Sequence, residues 1–183
     1  MSAGIRERRV ANEWKLLEEL AELNSSVVHI QGRCAEGFRI VLGNTHGLAK
    51  PGLAKPGVFL VSHEALITFP RFFPSVPIEA SLAVPVFHPN VHPVNGFVCL
   101  WNRFSSGDTV IEAIAQLQRV ICWRVWNADA DHVMQPEALA WSGDPERAIA
   151  LPLFCEQIVK PVGAELARTY AARPGARRRL SLE

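Results

Sequence analysis

Apolar residues recur at intervals of three and four along residues 5–23. This spacing lays them on one face of a helix, and Arg, Glu and Lys side chains fill the other faces. The apolar positions are Val10, Trp14, Leu17 and Ala21. Polar residues 24–26 then end the periodicity, so the pattern predicts an amphipathic first helix.

Strand-like apolar segments follow this helix and predict a sheet. Residues 27–34 and 37–43 form two candidate strands around a turn at residues 35–37, and residues 59–69 and 78–87 supply two more. The connections are mostly too short for a crossover helix, which favours antiparallel pairing. We therefore expect a four-stranded antiparallel meander.

Two segments interrupt the strand pattern. Residues 43–57, GNTHGLAKPGLAKPG, contain an imperfect tandem repeat and almost no apolar periodicity. They are predicted to be a flexible loop inserted into the fold. Residues 70–77, PRFFPSVP, hold too many prolines to pair within a central sheet, so they are expected to form a rigid, partly apolar connection.

Helical spacing returns after residue 108. The pattern predicts a helix from Thr109 to about Trp123, capped by Asp108, with one buried apolar stripe. The stripe consists of Val110, Ile114, Leu117 and Ile121. We expect this helix to pack across the sheet, which gives an α+β fold with helices segregated from the strands.

The remaining part of the chain has weaker signals. Residues 125–134 are polar and irregular, and residues 136–141 predict a short helix. Residues 145–170 predict one or two helices interrupted at prolines. We expect one domain over residues 1–170 and a flexible, Arg-rich tail over residues 171–183.

Composition places the chain among ordinary globular proteins. Of its 183 residues, 49% are hydrophobic and 20% are charged, and the net charge is +1. This balance provides no overall field that would favour nucleic acid or an anionic membrane. No stretch is long and apolar enough to span a bilayer, and the N-terminal residues lack the apolar core of a signal peptide, so a cytoplasmic location is predicted.

The four cysteines form no CxxC pair, which argues against a zinc site or a thioredoxin-like motif. Three of them lie among apolar neighbours and are predicted to be buried core thiols. These are Cys34, Cys122 and Cys155. There is no phosphate-binding loop or dinucleotide fingerprint either, and the sequence implies no metal and no organic cofactor.

The fourth cysteine lies in the most informative segment, residues 87–100, FHPNVHPVNGFVCL. This segment resembles the active-site signature of ubiquitin-conjugating enzymes, and four residues separate its His-Pro-Asn-aliphatic part from its glycine. Every defined position of that signature is filled, by Phe87, His88, Pro89, Asn90, Val91, Gly96, Val98, Cys99 and Leu100. A pattern with so many fixed positions is far more specific than a lone Cys-His pair.

The surrounding order of elements extends the resemblance over roughly residues 5–141. The family also has a first helix, a meander and a Tyr-Pro-x-x-Pro-Pro loop, here represented by Phe73, Pro74 and Pro77. Downstream, NADADHVMQPEALA resembles the family's Asn-Pro-Asp-Asp-Pro-Leu-x-Pro-Glu-hydrophobic-Ala segment. The resemblance implies the α+β fold of the family.

The resemblance also implies a chemistry. Cys99 would attack the thioester by which an activating enzyme holds a ubiquitin-like protein, and would then pass that protein to an amine. Asn90 would stabilise the oxyanion or order the loop that does so. Asp129 or Asp131 would orient or deprotonate the amine. His88 and Pro89 would hold the turn of the active-site loop, which also contains Gly96.

Partner surfaces are implied by the same comparison. The basic first helix, with Arg6, Arg9 and Lys15, would dock the activating enzyme. Phe72 and Phe73 would either form an exposed apolar contact for a partner or pack beneath their loop. A ligase is a further possible partner, but WNRFSSGDT replaces the family's segment ending in Trp-Ser-Pro, which puts recognition of RING-type ligases in doubt.

Departures from the eukaryotic pattern suggest a divergent, bacterial member of the family. Bacterial operons that pair such an enzyme with a ubiquitin-like protein and an activating enzyme act in defence against phage. Two other functions stay open at this stage. One is a non-catalytic scaffold that binds ubiquitin-like proteins, and the other is a cysteine hydrolase in which Cys99 acts with His88 or His92.

Overall fold

The first helix, α1, spans Ile5–Leu23 in the computed structural model, as the apolar spacing predicted. The structure describes residues 4–50, 58–146 and 151–161. Leu17 and Leu20 are fully buried against the sheet. Trp14 packs edge-on against Phe38, with 5.0 Å between ring centroids. The apolar face of α1 therefore covers part of the core.

The described part of the chain contains seven strands, β1 (Val28–Arg33), β2 (Gly37–Leu42), β3 (Gly47–Lys50), β4 (Val58–Leu60), β5 (His63–Thr68), β6 (Glu79–Leu82) and β7 (Phe97–Val98). Five of them form the main antiparallel sheet, in the order β1-β2-β5-β6-β7. The four-stranded meander is confirmed as β1, β2, β5 and β6. The short strand β7 adds a fifth member and brings the segment that contains Cys99 to the edge of the sheet.

The prediction that residues 43–57 form only a flexible loop was wrong for residues 47–50. These residues form β3 and pair antiparallel with β4 in a separate two-stranded ribbon. Leu48 is buried against a second core cluster that includes Trp123. Burial of this side chain outweighs the turn-forming composition around it. Residues 51–57 lie outside the described residues.

The candidate strand at residues 78–87 is shorter than expected, because β6 ends at Leu82. Pro85 lacks the amide hydrogen that a further ladder bond would need. After Leu82 the chain leaves the sheet, yet Val86 stays in the core. The chain therefore reaches residue 87 as irregular structure, with the buried Val86 side chain holding it against the core.

The second helix, α2, spans Val110–Ile121 and is buried along most of its length. Its N-cap is Thr109, whose backbone N–H donates to the Glu112 carboxylate at 3.0 Å in a capping box. The prediction of Asp108 as the cap was wrong, since that carboxylate accepts the Ser105 N–H at 2.8 Å. The alternative cap satisfies the same end of the helix one residue later.

A buried carboxylate joins the two long helices. Glu13 on α1 has no exposed surface, and it accepts the Val110 N–H at the start of α2 at 2.7 Å. Its other oxygen pairs with Arg9 at 2.5 Å. Burial raises the pKa of the Glu13 carboxyl, and the Val110 N–H and Arg9 oppose that shift. The Val110 N–H and the Arg9 guanidinium thus stabilise the ionised Glu13 carboxylate, which burial alone would disfavour.

The chain after α2 turns at Trp123 and leads to α3, Pro136–Ser142, which confirms the expected short helix. Residues 151–161 contain no helix, so the prediction of helix across residues 145–170 was wrong for this part. There the chain forms a strap across α2, in which Cys155 bridges to Thr45 and Glu156 O accepts from Gln118. Prolines at both ends of the strap disfavour helical hydrogen bonding.

Two predictions fall outside the described residues: the Arg-rich tail at residues 171–183 and the helix expected across residues 162–170. The extent of the single domain also stays a prediction. Among the described residues, no helix is both long and apolar enough to span a bilayer.

The buried carboxylate gives a stability prediction. Glu13→Ala should lower the free energy of unfolding by about 3 kcal/mol, because it leaves the Val110 N–H and Arg9 without their partner. Glu19→Ala, on the exposed side of the same helix, is the matched control and should change stability by less than about 0.5 kcal/mol. Urea denaturation of the three proteins at neutral pH measures both effects, and equal losses would contradict this role for Glu13.

Candidate active site

Cys99 lies immediately after β7, and the local backbone places it beside Asn90. The Cys99 N–H donates to the Asn90 carbonyl at 2.9 Å, and Val91 forms an antiparallel bridge with Val98. The His-Pro-Asn turn and the cysteine, separated by eight residues in the sequence, are thus two sides of one short hairpin. The thiol is partly exposed at its end.

Gly96 allows this hairpin to turn against the sheet. Its φ is +69°, a conformation that L side chains rarely adopt. A Cβ at this position would lie 2.0 Å from the Leu82 carbonyl oxygen. The two backbones are this close because the Leu82 N–H donates to the Gly96 carbonyl at 2.9 Å. No other residue fits here without moving β6, so the signature glycine has a clear backbone requirement.

His88 is completely buried and holds the turn from inside. Its Nδ1 accepts the Asn90 N–H at 3.1 Å, so its Nε2 carries the proton and donates to Val125 O at 3.2 Å. Burial lowers the pKa of His88 to about 3. The ring is therefore neutral at physiological pH, and its contacts favour the structural role expected for it.

Pro89 contributes its carbonyl. That oxygen accepts the N–H groups of Met134 and Gln135, at 2.7 and 3.2 Å. The buried Gln135 side chain returns two bonds, to Val86 O at 2.9 Å and to Val91 O at 2.8 Å. The segment after α2 is thereby fixed to the His-Pro-Asn turn on both sides of Pro89.

The Asn90 side chain is almost entirely buried, at 2% exposure. Its Nδ2 donates to Asn127 O at 2.8 Å and to His132 O at 2.9 Å, and its Oδ1 accepts the Asn127 N–H at 2.7 Å. Both amide hydrogens are therefore donated to backbone carbonyls. Of the two roles left open for Asn90, this geometry favours ordering of the neighbouring loop.

The loop that Asn90 holds carries a residue that the sequence reasoning missed. His132 Nδ1 lies 2.9 Å from Cys99 Sγ, within hydrogen-bond distance. The motif contains a usable signal. If Pro136-Glu137 is aligned with Pro-Glu of the family pattern, the Asp-Asp pair falls on Asp131 and His132. The second carboxylate position of the pattern is thus occupied by an imidazole.

Asp129 and Asp131 are both exposed on the same loop. The Asp129 backbone N–H donates to Asn127 Oδ1 at 2.7 Å, and the Asp129 carbonyl accepts the His132 N–H at 2.9 Å. These backbone contacts shape the turn around the histidine. A catalytic part for either carboxylate stays a prediction.

A shallow groove of about 270 Å³ opens beside Cys99. Phe97, Ile78 and Trp101 line part of it, and the Trp101 Nε1 donates to Ile78 O at 2.8 Å. Burial raises the pKa of the Cys99 thiol, and a backbone hydrogen bond from Trp101 partly offsets this shift. The thiol is thus accessible from the groove but is less ionised than a fully solvated cysteine would be.

The other cysteines are not arranged for the same chemistry. Cys122 and Cys155 are buried as predicted, with their sulfur atoms 3.3 Å apart, whereas Cys34 is only partly buried. Burial and the neighbouring Cys155 raise the pKa of Cys122 to about 12. Within the described residues, no group of three His, Cys, Asp or Glu side chains could hold a metal ion.

The expected partner residues divide into exposed and internal ones. Lys15 and Phe72 are exposed, so they remain available for contacts. Arg6 donates to the Phe69 and Pro70 carbonyls and is partly buried. Arg9 pairs internally and lies 5.6 Å from the centre of the Phe73 ring. A docking role for these residues of α1 stays a prediction.

Phe73 cannot form an exposed apolar contact, because it is only 3% exposed. Its ring packs against Phe69 with 5.1 Å between centroids. Of the two alternatives for the pair, Phe73 packs beneath the loop and Phe72, at 67% exposure, points outward.

The contacts do not support His88 or His92 as a base for Cys99. His88 uses both ring nitrogens within the turn, as described above. His92 Nδ1 accepts the backbone N–H groups of Val94 and Asn95, at 3.2 and 3.3 Å. Among the described residues, the imidazole that is hydrogen-bonded to the Cys99 sulfur belongs to His132.

Comparison with solved structures identifies the fold. A protein from Trypanosoma cruzi named as a ubiquitin-conjugating enzyme superposes with a TM-score of 0.58 at 17% identity, covering 82% of this chain and 95% of that one. One from Plasmodium yoelii gives a TM-score of 0.51 at 16% identity, covering 85% and 98%. The chain has the fold of ubiquitin-conjugating enzymes.

At these identities the likeness establishes the ubiquitin-conjugating fold alone. No protein-family model and no curated protein sequence matches the chain. The bacterial origin and the cytoplasmic location therefore stay predictions, and a shared fold does not by itself determine the chemistry of the site.

Burial of His88 gives a pH prediction. The folded state favours the neutral ring, with a pKa of about 3 against 6.5 for the free side chain. Its contribution to stability is present above pH 6.5 and is lost as the pH falls toward 3, with a slope of at most about 1.4 kcal/mol per pH unit. Urea denaturation at several pH values should show a shallower slope for His88→Gln. His29→Gln, on the exposed side of β1, should keep the wild-type slope, and an unchanged slope in His88→Gln would refute the assignment.

The contacts of Asn90 predict a local effect on dynamics. Asn90→Asp keeps the acceptor for the Asn127 N–H but removes both donors. It should destabilise the loop by roughly 2 kcal/mol, so that hydrogen exchange at residues 127–135 becomes about thirty-fold faster. Asn95→Asp is the control, because the Asn95 Oδ1 only accepts the Phe97 N–H. Mass spectrometry measures the exchange in the wild type and both variants. Equal exchange in all three proteins would show that the loop does not depend on Asn90.

Proposed function

We propose that this chain is a ubiquitin-conjugating-type enzyme. It accepts a ubiquitin-like protein from an activating enzyme as a thioester on Cys99 and transfers it to an amine. The observation that supports this most directly is the position of Cys99, partly exposed at the end of β7 beside the buried Asn90. A core cysteine would have no access to an acyl donor, whereas this thiol borders an open groove.

The groove suits the extended C-terminus of a ubiquitin-like protein. It lies along the residues just before and just after Cys99, and its walls are partly apolar. An extended chain end can approach the sulfur there without any deep cavity. Exchange between the two thioesters is close to balanced in energy, so the first step requires access and a thiolate more than a strong electrophile.

The second step demands more order around the sulfur. An amine attack generates an oxyanion, and a loop that is out of position by about 1 Å can reduce the rate a hundred-fold. Asn90 fixes two carbonyls of residues 127–132 through its own amide. We assign it to loop ordering during transfer, and we assign amine orientation to the exposed Asp129 and Asp131.

A cysteine hydrolase is a second candidate, supported by one observation. Cys99 and His132 meet the distance requirement for a nucleophile and its base. A hydrolase would also need water as the acceptor, and it would release the acyl group spontaneously. The two functions share the sulfur but differ in the lifetime of the acyl intermediate.

Loading tests the proposal directly. The wild-type chain, incubated with ubiquitin, a ubiquitin-activating enzyme and Mg-ATP, should form an adduct that a reductant cleaves. Cys99→Ala should abolish the adduct, because the acyl group has no attachment, and Cys99→Ser should give a reductant-resistant ester or none. Cys34→Ala is the matched control and should load like the wild type. Gel electrophoresis with and without reductant provides the readout.

A second donor separates recognition from chemistry. Ubiquitin carrying a C-terminal thioester to a small thiol can load Cys99 without any activating enzyme. Failure with both donors, or an adduct that persists in Cys99→Ala, would count against the proposal. Once loaded, a conjugating enzyme should retain the acyl group in buffer and lose it faster when free lysine is added. Rapid loss in buffer alone would favour the hydrolase.

A further inference from the structure

The contact between Cys99 and His132 is not required by the signature that identified the site. His132 lies 33 residues beyond the cysteine, on the short 3-10 turn Ala130–His132. Its ring is partly buried, and its Nδ1 is 2.9 Å from the sulfur. An acceptor nitrogen at this position requires the tautomer with the proton on Nε2.

The main chain of His132 is fixed on both sides. Its carbonyl accepts from Asn90 Nδ2 at 2.9 Å, and its N–H donates to the Asp129 carbonyl at 2.9 Å. Two residues further, the Met134 N–H donates to Pro89 O. The imidazole is thus held against the sulfur by the His-Pro-Asn turn itself, not by a free loop end. Such support is what a working base requires.

The sulfur has a use for a base. Burial raises the pKa of the Cys99 thiol, and the Trp101 backbone N–H offsets only part of that effect. At neutral pH a thiol in this setting is mostly protonated, whereas the thiolate is the nucleophile. A neighbouring acceptor for the proton removes this obstacle.

We propose that His132 is the general base of the site and serves both half-reactions. This inference rests on the proposed function. In loading, Cys99 gives its proton to His132 Nδ1 while the sulfur attacks the thioester carbonyl. The bond between that carbonyl and the donor sulfur breaks, and the departing thiolate takes the proton from His132. One S–H and one thioester are consumed, and one of each is formed.

The same nitrogen acts again in transfer. Once the acyl group is on Cys99, no proton separates the sulfur from the ring, and Nδ1 is free to accept one. The neutral amine adds to the carbonyl, and its nitrogen loses a proton to His132. The C–S bond then breaks, and His132 returns the proton to the Cys99 sulfur. An amide and a free thiol result, so atoms and charge balance.

Three carboxylates lie on the elements around Cys99 and His132 in the described part of the chain. Asp129 and Asp131 lie on the same turn, and both are exposed. Glu79 is a further exposed carboxylate, and it lines the groove that borders Cys99.

Alkylation of Cys99 tests the base without any partner protein. The rate of modification by iodoacetamide, followed by peptide mass spectrometry, is measured from pH 6 to pH 9 in the wild type and in His132→Asn. Asparagine can place a polar atom near the Nδ1 position but cannot accept the proton. His29→Asn, at the opposite edge of the sheet, is the matched control. Thermal melting of each variant confirms folding.

We expect His132→Asn to be alkylated about ten- to thirty-fold more slowly than the wild type near pH 7, with a gap that closes as the pH approaches 9. The gap narrows because the small thiolate fraction of the variant rises about tenfold with each pH unit, whereas the base-assisted reaction of the wild type changes less. Equal rates in both proteins would overturn the inference. A deficit that is constant across the pH range would also overturn it, since it would show that His132 only shapes the loop.

Transfer provides a second readout and separates the two proposals. Chains preloaded with ubiquitin are discharged by free lysine in a single turnover. His132→Asn should slow this step about a hundred-fold, the lower range for loss of a general base. If Cys99 never loads but its alkylation still depends on His132, the proposed function fails and the base stands. If loading and discharge proceed equally well in both proteins, the base fails and the function stands.

Discussion

The Asn90 side chain connects the parts of the site that lie far apart in sequence. One amide spans the His-Pro-Asn turn, Asn127 after α2 and the His132 carbonyl, using all three of its hydrogen bonds within 2.9 Å. Its burial makes these bonds obligatory, because an unpaired amide in that position would cost about 1–3 kcal/mol for each unsatisfied group. The loop and the turn therefore keep one relative arrangement.

Other buried polar side chains near Asn90 also hold the turn and the loop in place. His88 closes the turn through two backbone partners, and Gln135 does the same for the segment before α3. These side chains replace backbone ladder bonds that irregular segments cannot make with each other. The chain can thus leave Cys99 partly exposed at a sheet edge while these side chains bond the irregular backbone around it.

Much of this could be predicted from the sequence because it depends on local patterns. Apolar spacing indicated α1 and α2, and strand segments with short connections indicated the meander. The dense signature pointed to Cys99 and Asn90 as neighbours in one site, and the structure places them side by side, while their catalytic roles stay predictions. What failed depended on distant partners: β3 forms because Leu48 has a buried site against the second core cluster. No local pattern shows that site. The strap at residues 151–161 is extended for a similar reason, since its contacts with Thr45 and Gln118 replace helical bonds.

His132 was missed for a different reason, which bears on how the site works. Motif matching by residue type searches for carboxylates at this place, and the nearby Asp129 and Asp131 satisfied that search. Carboxylates as a class are weak acceptors for the proton of a thiol or an amine at neutral pH, and they act mainly by attraction and orientation. Imidazoles as a class are much stronger bases and are suited to proton transfer at that pH. With an imidazole in place of a carboxylate at this position, the protein itself could accept the proton that the solvent would otherwise remove. Burial raises the pKa of Cys99 and so disfavours the thiolate. In the proposed mechanism His132 Nδ1, which lies against the sulfur, compensates for this by accepting the thiol proton.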